Sequence, residues 1–365
     1  MKKFISLVMI LCLTIGMAMA QSAQPARSQT TAPAKPSAAT ATTAPTALDE
    51  LIGLLPTADL IAIVDANRLV NELLPRLANI ETGGVNKLAK QVADFTKNTG
   101  IDPAKATSAV LGFSMEGTVG TGVVIVSGLD LNTSQIEAAM KEFKTEFKTS
   151  DYKGKTIFNL LAKDKKAEAG PVSVKTDETA LALLGNQRFA FGDLKAVKEV
   201  IDVSAGAAKG AITPVMLGAL KETRASALLR FALNVPESLK QSAADQGDLF
   251  KSVNALQVVL GTLDVTNDFS MALDTLLRTT SQKDAMELEE GLKGLVSLVK
   301  SIFGGANNDP KMEAIGQLLD QIKIGSKASD VSLSITLPRA MLDQLVKKPT
   351  PPPAPSDANK STTPE

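Results

Sequence analysis

Ser108-Ala-Val-Leu-Gly-Phe-Ser-Met-Glu-Gly-Thr-Val-Gly-Thr-Gly-Val-Val-Ile-Val-Ser127 carries the pattern on which the fold turns. Two apolar, β-branched runs, Ser108–Phe113 and Gly122–Ser127, flank a glycine-bearing segment from Gly117 to Gly120. That spacing predicts a β-hairpin, because glycine accepts the backbone angles a tight turn demands. Upstream, Leu60-Ile-Ala-Ile-Val-Asp65 reads as a strand, followed by the helical spacing of Leu69, Leu73, Leu74 and Leu77. Downstream, Ile136, Met140, Phe143 and Phe147 share a helical face, and Ser134 with Glu137 has the spacing of a capping box. Strands follow at Val172–Val174, Ala180–Leu184 and Arg188–Phe191, with Gly185-Asn186 as a tight turn. Asp193 stands where an N-cap belongs, ahead of a helix carrying Leu194, Val197, Val200 and Ile201.

A second pass repeats this order. Ala227–Leu233 reads as a strand leading into a helix that Pro236 starts and Leu239 anchors. Leu256–Leu260 and Phe269–Leu273 form a second hairpin around Asp264 to Asp268. A long helix follows, with Met286, Leu288, Leu292, Leu295, Val299 and Ile302 at helical spacing, ending at Gly304-Gly305. Ile322–Ile324 and Val331–Thr336 then pair, and Pro338 opens a last helix through Leu342 and Leu345. The order β-α-β-β-α-β-β-α recurs, so the fold class expected is α+β: a duplicated unit with antiparallel sheets and helices packed on one face. The boundaries expected are 47–212 for the first repeat domain and 213–346 for the second.

Outside this core the chain changes character. Lys2 and Lys3, an apolar run from Phe4 to Gly16 and the Ala18-Met19-Ala20 site have the three parts of a secretory signal. Residues 1–20 are therefore expected to be a signal peptide cleaved between Ala20 and Gln21, making the protein exported, periplasmic or extracellular. Cys12 lies within the apolar run after Met9-Ile10-Leu11, without the small residue that precedes a lipidated cysteine, and reads as a packing residue of the leader. Residues 21–46 are rich in Ala, Thr and Pro, and residues 347–365 are rich in Pro. Neither stretch has apolar periodicity, so a disordered linker and a disordered tail are expected. No later stretch is both long enough and charge-free enough to span a bilayer as a helix.

Composition excludes whole classes of chemistry. The chain has no histidine and no tryptophan, and its one cysteine is in the leader. Thiol nucleophiles, disulfides, zinc hydrolysis and Ser-His-Asp catalysis all lose their residues. No cofactor is expected. Removing Lys2 and Lys3 leaves 37 basic residues against 39 acidic, a net charge of −2. No field of one sign is available to hold nucleic acid. Tyr152 is the only tyrosine, so aromatic platforms for bases or sugars are scarce as well.

Three stretches carry a resemblance: Leu54-Leu-Pro-Thr-Ala-Asp59, Tyr152-Lys-Gly-Lys155 and Phe191-Gly-Asp-Leu-Lys-Ala-Val-Lys198. Through them the chain resembles a group of uncharacterised exported bacterial proteins built from repeated α+β units. The resemblance implies that fold and export, with no assigned reaction or ligand.

The remaining candidates for chemistry each meet a plainer reading. Ser150-x-x-Lys153 and Ser297-x-x-Lys300 have the serine–lysine spacing of penicillin-recognising hydrolases, but the accompanying S-D-N and K-T-G motifs are absent. Gly117-x-x-Gly120-x-Gly122 does not open a helix, so it reads as a hairpin tip rather than a phosphate cradle. Asp264, Asn267 and Asp268 offer oxygens for calcium without the glycine pivot and closing glutamate of a calcium loop; turn formation explains them. Glu287, Glu289 and Glu290 read as the solvated face of a helix, and Lys163, Lys165 and Lys166 with Glu168 as an exposed loop. The function expected is a non-catalytic exported protein that acts on a protein or envelope partner through its surfaces. A carrier or chaperone for an apolar ligand is the alternative, and a Ser-Lys hydrolase a distant third.

Overall fold

The computed structural model describes residues 46–75, 85–116, 119–161, 167–169, 172–174, 178–244, 253–303, 316–339 and 341. The leader with Ala18, Ala20 and Gln21, the linker up to residue 45, the Lys163–Lys166 loop and the tail from 347 lie outside them. In chain order, helix α1 (Ala47–Gly53) precedes β1 (Leu60–Asp65), a π-helical turn (Arg68–Leu73), α2 (Val85–Thr99) and a 3-10 turn (Pro103–Lys105). The hairpin β2 (Ser108–Glu116) and β3 (Val119–Ser127) leads to α3 (Thr133–Glu142). Then come β4 (Phe147–Tyr152), β5 (Lys155–Leu160), β6 (Ala167–Ala169), β7 (Val172–Val174), β8 (Thr179–Gly185) and β9 (Arg188–Asp193). After α4 (Leu194–Ser204) and α5 (Pro214–Glu222) follow β10 (Leu229–Asn234), α6 (Glu237–Ala244), β11 (Leu256–Val265), β12 (Met271–Thr279), α7 (Gln282–Phe303), β13 (Lys323–Lys327) and β14 (Asp330–Leu337).

Twelve strands form one antiparallel path, β13-β14-β12-β11-β10-β1-β2-β3-β9-β8-β5-β4, so the class is α+β. Strand β7 joins β3 in parallel, and β6 pairs with β7. At the seam between the halves β1 pairs with β10, Leu60 opposite Leu233 and Val64 opposite Leu229. On either side a hairpin follows the seam strand, and a later strand returns to pair with its second arm: β9 with β3, and β14 with β12.

Helices cover both faces of this sheet, where the sequence leads to the expectation of one. Side chains alternate along a strand, so Ile61 and Ile63 belong to one face while Ala62 and Val64 belong to the other. The first face is packed by α1, α4 and α5 through Leu51, Val197, Val200, Ile201, Met216 and Leu220. On the second, Phe158 and Leu181 meet α2 and α3 through Phe95, Ile136 and Met140. Further along, Leu256 and Val331 meet α7 through Ala285 and Leu288. The reason is visible in the strands: Ile61-Ala-Ile-Val64 and Val123-Val-Ile-Val126 are apolar on both sides, and a strand of that kind needs cover on both.

Several local expectations shift. The capping box of α3 is built by Asn132 and Gln135, not by Ser134 and Glu137. That helix stops at Glu142, Phe143 takes its C-cap, and Phe147 begins β4. The turn between β8 and β9 has Asn186 and Gln187 at its centre, with φ of 51° and 56°, which is the left-handed pair a two-residue hairpin requires. On α7 the buried stripe runs through Ala285 and Leu288, leaving Met286 52% exposed. Residues 266–270 form the turn between β11 and β12, so Phe269 lies in it with a φ of 64° rather than starting a strand.

Candidate functional site

The serine–lysine pairs are not assembled as catalytic dyads. Ser150 lies on β4, and its hydroxyl accepts a hydrogen bond from Asn159 Nδ2 at 2.9 Å. Lys153 sits in the turn after β4 and pairs with Asp202 of α4 at 2.7 Å. Each holds the other's charge: Asp202 raises the lysine above its usual range, and Lys153 lowers the carboxyl below its own. Ser297 is on α7, where its hydroxyl donates to the Lys293 carbonyl at 2.9 Å. Lys300 turns to Asp320 at 2.9 Å. In neither pair does the lysine reach for the serine as a base would.

The calcium candidates diverge in the same way. Asp264 takes Arg68 at 2.7 Å and Arg224 at 3.3 Å. Asp268 accepts from the hydroxyls of Thr266 and Ser270 and from the Ser270 amide, bonds that tie the hairpin turn and hold its carboxyl down to about 2. Among the described residues no cluster of three or more acidic, histidine or cysteine side chains is placed to hold a metal. Glu289 does not stand in solvent as its helix position implies: it accepts the Ser326 amide at 3.0 Å, and Lys293 and Ser326 together keep its carboxyl below the usual range. Glu289, Glu290, Met286 and Lys293 line one wall of an open polar groove of about 440 Å³ between α7 and the β13–β14 turn.

Gly120 and Gly122 prove to be strand residues rather than a flexible tip. Both lie on β3, beside Phe113 of β2. A Cβ on Gly120 would come within 2.1 Å of the Phe113 ring, and one on Gly122 within 3.0 Å. Gly261 on β11 makes room for Phe231 in the same manner, at 2.8 Å. Two phenylalanine rings therefore lie low across the sheet where glycines leave space for them.

Those rings belong to the second face of the sheet. Over the central strands, the second face of the sheet forms a hydrocarbon surface on which Leu60, Leu111, Val259, Met271 and Leu273 remain partly exposed. Of the described helices, only the turn at residues 66–75 reaches this cluster, through Ala66 and Leu69. On one flank stand α2 and α3, and on the other α7. Between these flanks the partly exposed side chains form a shallow apolar trough. Sequence reasoning found its strands but not the trough, because their parity on a shared face depends on pairings between distant segments.

The three stretches that carry the family resemblance converge on the opposite face. Leu54, Leu55, Tyr152 and Leu194 pack into one core. Tyr152 donates to Asp202 at 3.2 Å, and the Lys198 ammonium lies 5.5 Å from its ring centre. Asp59 accepts the Met115 amide at 2.8 Å. These roles are structural.

No family model and no curated protein matches the chain. Among solved structures, crystal form III of TP0453 aligns over 80% of this chain and 95% of its own, with 9% identity and a TM-score of 0.43. Crystal form I of TP0453 aligns over 81% and 96%, with 9% identity and a TM-score of 0.40. Overlap of that degree assigns neither family nor function. No helix among the described residues is long and apolar enough to cross a membrane.

Proposed function

We propose that the mature chain is an exported, non-catalytic protein of the cell envelope that works by binding, with the apolar trough as its contact surface. The observation that carries this reading is the trough's composition: a floor of Leu60, Leu111, Val259, Met271 and Leu273, partly exposed, with Phe113 and Phe231 laid flat over glycines. Partly exposed apolar side chains gathered on one face of a sheet offer a surface to an apolar guest. A largely hydrocarbon surface, with Thr275 as a polar side chain on the same face, suits an acyl chain. The signal-like pattern of residues 1–20 supports export, and the absence of histidine supports a non-catalytic role.

The test uses residues 21–365 purified without detergent. Mass spectrometry of an organic extract should find a co-purifying amphiphile, and a pyrene-labelled C16 fatty acid should bind and raise the melting temperature. Leu111→Asn and Leu273→Asn should weaken that binding at least tenfold while circular dichroism stays unchanged. A clean extract with no thermal shift sinks the proposal.

A further inference from the structure

The two ends of the twelve-strand path are not equivalent. One edge is β13 and the other is β4. A two-residue turn at 328–329 joins β13 to β14, with Lys327 opposite Asp330, which points the Ser326 N–H away from β14. That outward amide is taken by Glu289 of α7 at 3.0 Å, and α7 packs along the strand. An acidic side chain seated on an edge amide blocks a further strand from adding there.

Strand β4 carries no such block. Its turn has Lys153 and Gly154 at the centre, with φ of 50° and 73°, so Tyr152 and Lys155 form the hydrogen-bonded pair next to the loop. Counting back in steps of two, Ser150 and Lys148 bond inward to Ile157 and Asn159. The Leu161 amide bonded to the Glu146 carbonyl at 2.9 Å continues the same phase. The N–H and C=O groups of Phe147, Thr149 and Asp151 therefore point outward. Residues 148–151 are all exposed, and among the described residues no element pairs with this edge.

We infer that two copies of this chain join through β4, antiparallel about a two-fold axis at Thr149, so that the sheet continues across the pair. Three outward residues centred on Thr149 are self-complementary under a two-fold: Phe147 meets Asp151 of the second copy, and Thr149 meets its own counterpart, giving about six N–H···O bonds. Charge disfavours the neighbouring alignment on one side, and the other, with Ser150 on the axis, sets Phe147 against the turn and loses its hydrogen-bonded pair. With Thr149 on the axis, Lys148 lies opposite Ser150 of the second copy. Slipping two residues toward Phe147 sets Lys148 against Lys148, a like-charge pair that is destabilising. Because the Ser326 amide at the β13 end of the strand path is held by Glu289, the β4 end is the open one, and pairing of β4 with β4 closes at two.

The experiment is sedimentation equilibrium on residues 21–365, with Thr149→Pro as the probe. Proline at 149 removes an outward N–H and no inward one, as edge strands allow. The wild type should sediment as a dimer, and Thr149→Pro should raise the dissociation constant at least tenfold with little change in melting temperature. Ser150→Pro, which removes an inward bond, should instead lower the melting temperature. As an independent readout, Thr149→Cys places the only thiol of the mature chain on the axis and should cross-link into a disulfide dimer under mild oxidation, while Lys323→Cys on the other edge should not. A monomer at all concentrations, or a dimer indifferent to Thr149→Pro and uncross-linked by Thr149→Cys, overturns the inference. So does capture of a different polypeptide on β4 in place of the second copy.

Discussion

Asp193 Oδ2 accepts the backbone amide of Gly122 at 2.6 Å, so the residue that opens α4 also ties down β3. The side chain makes no cap bond to its own helix. Replacing it with alanine leaves the half-buried Gly122 amide without that acceptor, and a hydrogen bond of this kind is worth about 1 kcal/mol net. Asp193→Ala should therefore lower the urea midpoint with an unchanged slope, whereas Asp193→Asn, which keeps an acceptor oxygen, should lose roughly half as much. Equal stability of all three proteins would show that the bond contributes nothing net.

How far the fold was legible follows from where its signals lie. Strands β1, β8 and β10 announce themselves because each is a short apolar run bounded by polar or glycine residues. Asp193 is legible as a helix start from its position alone, yet its carboxylate serves another strand, a contact across 71 positions that no local pattern encodes. Strand β4, Phe147-Lys-Thr-Ser-Asp-Tyr152, is unreadable by alternation because an edge strand with four consecutive exposed residues has no apolar face to alternate. Helix α2 carries a local signal, Val85, Leu88, Val92 and Phe95 at helical spacing. Of the site, Gly120 and Gly122 stood out as residues, but their partner Phe113 emerges only once the hairpin register is known.

That register makes the next outcome specific. A methyl group at Gly120 would sit 2.1 Å from the Phe113 ring, on a position that is fully enclosed. Overpacking of this kind costs about 1–3 kcal/mol. Gly120→Ala should destabilise the wild type by that amount and cost much less in a Phe113→Leu background, a coupling that a double-mutant cycle reads directly. Additive losses would mean that the ring does not rest on this glycine.

Acid should act on the β11–β12 turn through Asp268. Its carboxyl is lowered from 3.8 to about 2 by the hydroxyls of Thr266 and Ser270 and the Ser270 amide. A depressed carboxyl stabilises the fold above its unfolded value and loses that contribution as pH falls through the folded one. The melting-temperature gap between wild type and Asp268→Asn should thus be constant above 3.8 and shrink toward zero as the pH approaches about 2. A gap that closed at neutral pH would contradict the assignment.

Glu289 gives the last prediction, because removing it changes an edge rather than a core. The carboxylate is held by Lys293 and by the amide and hydroxyl of Ser326, and it is the group that occupies the outward N–H of β13. Glu289→Ala frees that amide while leaving the apolar stripe of α7, Ala285 and Leu288, in place. The fold should survive, since this hydrogen bond is partly solvated and contributes little beside the apolar contacts of the helix. What should change is assembly: with both β4 and β13 open, copies can add at two edges, and sedimentation should show species beyond the dimer that Thr149→Pro alone does not abolish. Glu289→Gln, which keeps an acceptor for Ser326, should remain dimeric. If Glu289→Ala stays at the size of the wild type, the β13 edge is shut by the bulk of α7 and not by this carboxylate.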